Sequence, residues 1–510
     1  MSRGRAFPLA IALVAVLVHL PYLWPGGAWT RRPVPLVLGQ DEGTVLYDSH
    51  RIATGQVMYR DFFEFQGPVF YYAHAALFAA TGGPSLTVAR AFGVIAAAIG
   101  SALLALIVAR FAGRAAGAGA ALIHAFVLVP MWPFDYPHWL AETLALAGVW
   151  LAARADPPPR AQVGAGAFLA ASLFTIQSVG LPILVAVTAA AALPGVAARD
   201  VRRALVVPAR IVAGAAAVAA PILAYFAAHG ALADLGYAMF LWPMKHYPLG
   251  QGGATSFGWG LEASLREHAQ SYRGVWLVLA SFCLHLIYVL PALAPIAAAA
   301  AGAVALHRVA RRRTDGLAAV VAAAASLAAV SPLWLAPVRP DIVHVACLGS
   351  FGLVGAAVLA APLVGRVARA RVGAAFCVLA AAGGASYAYK TASTWPASRA
   401  LGDWREEALK LAEARRIADE TAPDDTIVVG AMGGFYYLYV RPAAVPNTYI
   451  PATLPAYLSE AQWGRIADAI AIRRPRALLL FGKQWGEIVK RRPELDALYR
   501  RSGALLVRAD

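Results

Sequence analysis

The chain has 510 residues, of which 60% are hydrophobic and only 14% charged, against roughly 25% charged in an ordinary soluble domain. With a mean hydropathy of +0.60, water is not the main solvent of such a chain. A formal charge of +16 would suit a nucleic-acid partner, but its distribution excludes one.

Arg3 and Arg5, Arg110 and Arg114, Arg154 and Arg160, then Arg199, Arg202, Arg203 and Arg210 fall in short stretches between alternate apolar runs. Arg308, Arg311, Arg312 and Arg313 make a further cluster, and Arg366, Arg369 and Arg371 another. This is the positive-inside pattern of cytoplasmic loops, so the basic charge reports topology.

Apolar runs of bilayer-crossing length recur from Phe7 almost to Lys390 and predict about eleven transmembrane helices. They lie at roughly 7–24, 88–109, 116–131, 139–153, 161–178, 180–196, 205–228, 274–306, 317–336, 343–365 and 372–390. The first run extends to Trp24 without a small-residue cleavage site and reads as a signal anchor. With the amino terminus in the cytoplasm, segments at roughly 26–87, 132–138, 229–273, 337–342 and 391–510 lie outside. The run at roughly 69–80 is too short to span and reads as a helix on the outer membrane surface. The mixed stretch at about 42–54 reads as a juxtamembrane helix. Cys283, Cys347 and Cys377 all lie inside apolar runs, which argues against a disulfide framework or a thiolate metal site.

After Lys390 the composition changes to charged, helix-forming sequence at about 404–420, with strand candidates near 426–429, 477–481 and 505–507. Gly433 and Gly434 follow the first strand without a dinucleotide fingerprint or P-loop and read as a turn. The fold class is therefore an all-α multi-pass membrane protein with a small C-terminal extracytoplasmic α/β domain, divided into about 1–390 and 391–510.

Chemistry concentrates in the first outer loop, where Asp41, Glu42, Asp48, Asp61 and Glu64 are interleaved with Tyr47, Arg51, Tyr59 and Arg60. A carboxylate held there in low dielectric gains basicity, which deprotonation of an acceptor hydroxyl requires. Neighbours on a helix do not face each other, so Asp41 and Glu42 have different roles: Asp41 as base, Glu42 as its support or the partner of a metal or basic neighbour. The plainer reading is a solvated acidic loop with Arg51 and Arg60 as counter-ions.

An acidic pair just after the first membrane helix, then Tyr47, Arg51, Gly55, Arg60-Asp61-Phe62 and Gly67-Pro68, resembles the first outer loop of the GT-C membrane glycosyltransferases. Protein O-mannosyltransferases and lipid A aminoarabinose transferases belong to that superfamily. The resemblance extends through Gly82, Ala89 and Arg90 and implies polyprenyl-phosphate sugars as donors, with Asp41 as the catalytic carboxylate. Where the O-mannosyltransferases have His-Pro-Pro, this chain has Gln66-Gly67-Pro68, which leaves the acceptor class open among glycan, lipid and protein.

A polyprenyl phosphate presents its anionic head at the outer leaflet, which calls for cationic donors at outer helix ends. Lys245 and His246 meet that need, as do Arg339 and His344; for Lys245 the alternative is an interfacial anchor. Asp135 and His138 in the second outer loop suit a divalent metal or the donor sugar, or plain membrane anchoring among aromatic residues. No metal-ligand spacing occurs, so no cofactor is assigned; a divalent metal would draw on Asp41, Glu42 and His138. His124 and His285 lie at mid-membrane depth and read as neutral helix-to-helix hydrogen bonders.

The expected function is an inverting sugar transfer from polyprenyl phosphate to an acceptor hydroxyl at the extracytoplasmic face of the cell (inner or plasma) membrane. In it Asp41 is the base, Asp61, Glu64, Tyr59 and Arg60 orient the acceptor or hold the loop, and the cationic residues bind phosphate. The rivals are a transporter or lipid flippase, which needs polar groups in mid-helix, and a non-enzymatic membrane scaffold.

Overall fold

The computed structural model describes residues 3–23, 40–132, 135–154, 157–246, 257–310, 315–335, 342–363, 366–394, 405, 408–409, 412–430, 433–444, 458–480, 483–503 and 505–509. Helices come first: α1 (Arg3–His19), α2 (Gln40–Ala53), α3 (Pro68–Thr81), α4 (Leu86–Ala112) and α5 (Arg114–Ile123). The last runs on through a π turn at His124–Leu128 and a 3-10 turn at Val129–Met131. Next are α6 (Pro137–Ala152), α7 (Pro159–Leu173), α8 (Gln177–Ala198), α9 (Val201–Ala228), α10 (Leu232–Gly236), α11 (Trp242–His246) and α12 (Phe257–Ser271). Four more follow: α13 (Gly274–Ala310), α14 (Asp315–Leu335), α15 (Ile342–Leu363) and α16 (Arg366–Thr394). The C-terminal part holds α17 (Ala412–Glu420), β1 (Ile427–Val429), α18 (Gly434–Tyr439), α19 (Glu460–Arg473), β2 (Ala477–Leu479), α20 (Lys483–Val489), β3 (Tyr499–Ser502) and β4 (Leu505–Arg508).

Among the described residues, seven helices are long and apolar enough to cross a bilayer, with shorter apolar helices beside them. Each of the eleven expected crossings falls on a helix, and α2 and α3 coincide with the two short helices expected at about 42–54 and 69–80. At 37 residues, α13 is longer than one crossing requires. The chain is a multi-pass membrane protein with a small four-stranded sheet.

Two compact units divide the chain. Unit one comprises Met1–Leu23, Ala91–Ala224 and Ala254–Ala397. Its helices approach closely where side chains are small. A Cβ added at Gly166 of α7 would lie 1.7 Å from the Ile211 carbonyl oxygen of α9, and one at Gly214 of α9 would lie 1.9 Å from that of Val163. The two helices therefore touch backbone to backbone. Buried hydroxyls return hydrogen bonds to neighbouring helices, Thr143 Oγ1 to the Ala96 carbonyl and Ser172 Oγ to that of Ala141.

Unit two comprises Trp24–Arg90, Tyr225–Gly253 and Ser398–Asp510. Its sheet runs β1-β2-β4-β3. β1 pairs parallel with β2 (Ile427 opposite Ala477), while β2 and β3 each pair antiparallel with β4. β1, β2 and β4 are apolar and buried, and Ile427, Val429, Leu479, Leu505 and Val507 form one core with Ile417 and Tyr437. β3 was not expected from sequence: Tyr499-Arg500-Arg501-Ser502 has no β-branched residue and sits at the sheet edge, where polar residues are at home. The expected helix at about 404–420 is described from Ala412 to Glu420, its first part lying largely outside the described residues. The glycines after β1 serve packing. A Cβ at Gly434 would lie 2.0 Å from the Gly43 carbonyl oxygen, so only glycine lets α18 rest on α2.

Candidate active site

The acid-rich segment is carried by α2, the loop to α3 and the start of α4, all in unit two. Asp41 is the second residue of α2, and its side chain lies outside the described residues, as does all of Arg339. Glu42 is fully buried and accepts two hydrogen bonds from Arg90, from Nε at 2.9 Å and from Nη2 at 2.8 Å. This forked pair ties the first turn of α2 to the start of α4, and Leu46 of α2 packs with Phe78 of α3 and Leu86 and Ala89 of α4 in one buried cluster.

Two turns further along α2, Asp48 and Arg51 are buried together. Their ion-pair distance is 3.7 Å, too long for a hydrogen bond. Burial pushes the Asp48 carboxyl well above the ordinary carboxylate range, Arg51 opposing the shift and Glu64 adding to it. Arg51 packs its guanidinium over Phe62, 4.3 Å from the ring centroid. It donates from Nε to Gln56 Oε1 (2.8 Å) and from Nη2 to the Asp61 carbonyl (3.3 Å).

Those two bonds fasten the loop that carries Tyr59, Arg60, Asp61 and Glu64. Asp61 Oδ2 accepts from the Val57 amide (2.7 Å), and Arg60 donates to both Asp61 oxygens at 2.8 and 2.9 Å. The Arg60 hydrogen bond holds the Asp61 carboxyl below its usual range. Arg60 Nη1 also reaches the His229 carbonyl at 3.3 Å. Tyr59 has φ 72, a strained value for a bulky residue, and donates from its hydroxyl to the Gln66 carbonyl at 2.6 Å. Glu64 Oε1 accepts from the amides of Phe65 (2.7 Å) and Gln66 (3.0 Å).

The loop is joined to the cationic helix by aromatic packing. Phe63 and Phe65 flank Trp242 with ring centroids at 5.1 and 4.9 Å, and His246 stacks on Trp242 at 5.8 Å. Lys245, beside His246 on α11, is exposed. Burial, then Lys245, lowers the His246 imidazole below its usual range. Glu42, Tyr59, Arg60, Asp61, Glu64, Lys245 and His246 therefore share one unit.

The remaining candidates belong to unit one. His138 is buried, stacks on Tyr136 at 4.9 Å and meets His344 edge-on at 5.1 Å. Asp135 is buried beside Gly93, where an added Cβ would come within 2.9 Å of its Oδ1. Two groups that are 206 positions apart in number, His138 and His344, are thus adjacent. Among the described residues no three His, Cys, Asp or Glu side chains converge as a metal would need. The Glu42 carboxylate faces a guanidinium instead, so the described residues do not fit a resident metal.

Sequence reasoning missed Glu142. It is buried on α6, with its Oε1 3.4 Å from His124 Nε2, while His124 Nδ1 lies 2.8 Å from Ser101 Oγ on α4. The signal was present, a lone acid within an apolar run. His124 thus bonds between helices as expected. His285 does not: its Nδ1 bonds the Ser281 carbonyl of its own helix at 2.7 Å.

No protein-family model matches the chain, and no curated protein matches it in sequence. Solved structures do resemble it. ArnT from Cupriavidus metallidurans bound to undecaprenyl phosphate is 14% identical, covers 87% of this chain and 86% of its own, and superposes with a TM-score of 0.51. The same protein in the apo state is 13% identical over 97% of this chain and 90% of its own, also at 0.51. The Archaeoglobus fulgidus oligosaccharyltransferase, in complex with zinc and sulfate, is 13% identical over 96% of this chain and 71% of its own, at 0.48. On this likeness, the chain shares the fold of ArnT.

Proposed function

We propose that the protein is a membrane glycosyltransferase that moves a sugar from a polyprenyl-phosphate donor to an acceptor hydroxyl. The observation that carries this reading is the shared fold with ArnT, whose structure holds undecaprenyl phosphate, over 86% of that protein's length. Asp41 takes the proton of the acceptor hydroxyl, the freed oxygen attacks the anomeric carbon, and polyprenyl phosphate leaves with inversion at that carbon. Lys245, His246, Arg339 and His344 supply cationic and hydrogen-bonding groups for the departing phosphate. Glu42, fixed by Arg90, holds the helix turn that carries Asp41, and Asp61 and Glu64 hold the loop. No step passes through a metal.

In this reading the amino terminus is cytoplasmic, residues 1–390 form the membrane part and residues 391–510 the extracytoplasmic module. The first outer loop folds onto that module through α2 and α18, consistent with the Gly43 and Gly434 contact. The test is transfer from a panel of labelled polyprenyl-phosphate sugars in lipid extracts, comparing wild type with Asp41→Asn. Transfer is expected to fall at least about 100-fold while membrane insertion survives; transfer indifferent to the change removes the assignment.

A transporter or flippase is the second reading, and the His124 and Glu142 pair inside the helix bundle is the observation on its side. Lipid or solute movement that persists in Asp41→Asn, with no sugar transfer by wild type, would favour it.

A further inference from the structure

Two buried polar atoms in unit two stand open beside each other. Asp48 Oδ2 and Arg51 Nη1 have no hydrogen-bond partner, although both side chains are only 3% exposed. Arg51 Nη1 approaches the other oxygen of the same carboxyl, Asp48 Oδ1, only to 3.7 Å, too far for a hydrogen bond. The guanidinium cannot swing onto the carboxyl without giving up Gln56, the Asp61 carbonyl and the face of Phe62.

An open donor and an open acceptor in a buried place are costly, and native folds leave few of either. A single hydroxyl serves both: its O–H donates to Asp48 Oδ2 while its oxygen accepts from Arg51 Nη1. The surroundings suit a ring bearing hydroxyls. Phe62 and Tyr47 lie beside the guanidinium, Tyr437 meets Tyr47 at 5.0 Å, and the covering loop is strained at Tyr59. Two of that loop's fastenings are Arg51's own hydrogen bonds, so the group that would grip a ligand also holds the cover.

We propose that Asp48 and Arg51 form a hydroxyl-binding subsite that takes one hydroxyl of the transferred sugar or of the acceptor. The inference rests on the glycosyl-transfer reading given above.

The experiment uses the full chain in lipid nanodiscs, with labelled polyprenyl-phosphate sugars and acceptors, each in parent and single-deoxy forms. Asp48→Leu removes the hydrogen-bonding group, keeps the branched side-chain shape and leaves Arg51's two loop bonds in place. The expected result is a KM raised about tenfold or more for the parent compound, at little-changed kcat. That penalty disappears for the one deoxy compound lacking the engaged hydroxyl. A deoxy donor identifies the transferred sugar as its source, and a deoxy acceptor identifies the acceptor. An equal penalty on every compound assigns the pair a merely structural role, and no penalty at all means that water fills the gap; either overturns the proposal. Where wild type transfers nothing, the glycosyl-transfer reading fails separately. The subsite is then judged by thermal shift with the same lipid sugars: a shift lost in Asp48→Leu sustains it, and equal or absent shifts overturn it.

Discussion

Arg90 grips Glu42 through two hydrogen bonds of 2.9 and 2.8 Å, spanning 48 residues of chain, with neither side chain more than 1% exposed. A pair this buried contributes little net stability compared with an apolar replacement, because both charges lose their hydration. Removing one partner is a different matter, since the other charge is left buried alone. Glu42→Leu or Arg90→Met should each destabilise the protein by about 3–5 kcal/mol, and the two changes together should cost less than either single one. Thermal unfolding of the three variants in nanodiscs checks this; additive losses would show that the pair is not coupled.

Asp48 predicts a pH dependence. Burial raises its carboxyl in the folded state, above the unfolded value of about 3.9. Its contribution to stability is therefore complete below about pH 4 and is lost as pH rises toward the folded value. Asparagine imitates the protonated carboxyl. The unfolding temperature of Asp48→Asn should therefore match wild type near pH 4 and exceed it increasingly toward pH 8. A constant difference across that range would contradict the raised proton affinity.

Much of the fold was legible because the bilayer writes its thickness into apolar run length, so that α4, α9 and α15 fall close to the expected crossings. β1, β2 and β4 were legible for a related reason, as their buried positions demand Ile, Val and Leu. β3 was not, because an edge strand can be polar. In the site, Arg51 and Arg60 were readable as counter-ions of the acidic loop from proximity alone, and each does lie beside an aspartate. The Glu42 and Arg90 pair, the His138 and His344 contact and the packing of Tyr47 on Tyr437 join residues far apart in the chain. Periodicity carries no information about such partners. The positive φ of Tyr59 was hidden as well, because left-handed turns announce themselves only when glycine or asparagine occupies them.

Arg60 and Asp61 separate surface charge from loop support. Their ion pair is 44% and 30% exposed, where such pairs contribute little. Arg60→Ala should leave the unfolding temperature unchanged within error. Asp61→Ala also deletes the acceptor of the Val57 amide and should cost about 1 kcal/mol. Equal effects of the two changes would mean that the ion pair, rather than the backbone hydrogen bond, holds the loop.

Gly434 and Gly43 face each other where α18 meets α2, but their substitution meets different obstacles. A Cβ at Gly43 runs into the Phe435 ring, 2.4 Å away, and a ring can turn aside; a Cβ at Gly434 runs into the Gly43 carbonyl oxygen at 2.0 Å, and backbone cannot. Alanine gains roughly 1 kcal/mol over glycine in helix propensity, which partly offsets either clash. Overpacking against fixed backbone costs about 1–3 kcal/mol, so Gly434→Ala should be the more destabilising of the two. Because α18 backs the turn of α2 that carries Asp41 and Glu42, Gly434→Ala should also depress transfer, even below its unfolding temperature. Limited proteolysis and transfer assays at matched temperature distinguish the outcomes. If Gly43→Ala proves as damaging as Gly434→Ala, the Phe435 ring has no room to yield, and the contact is rigid from both sides.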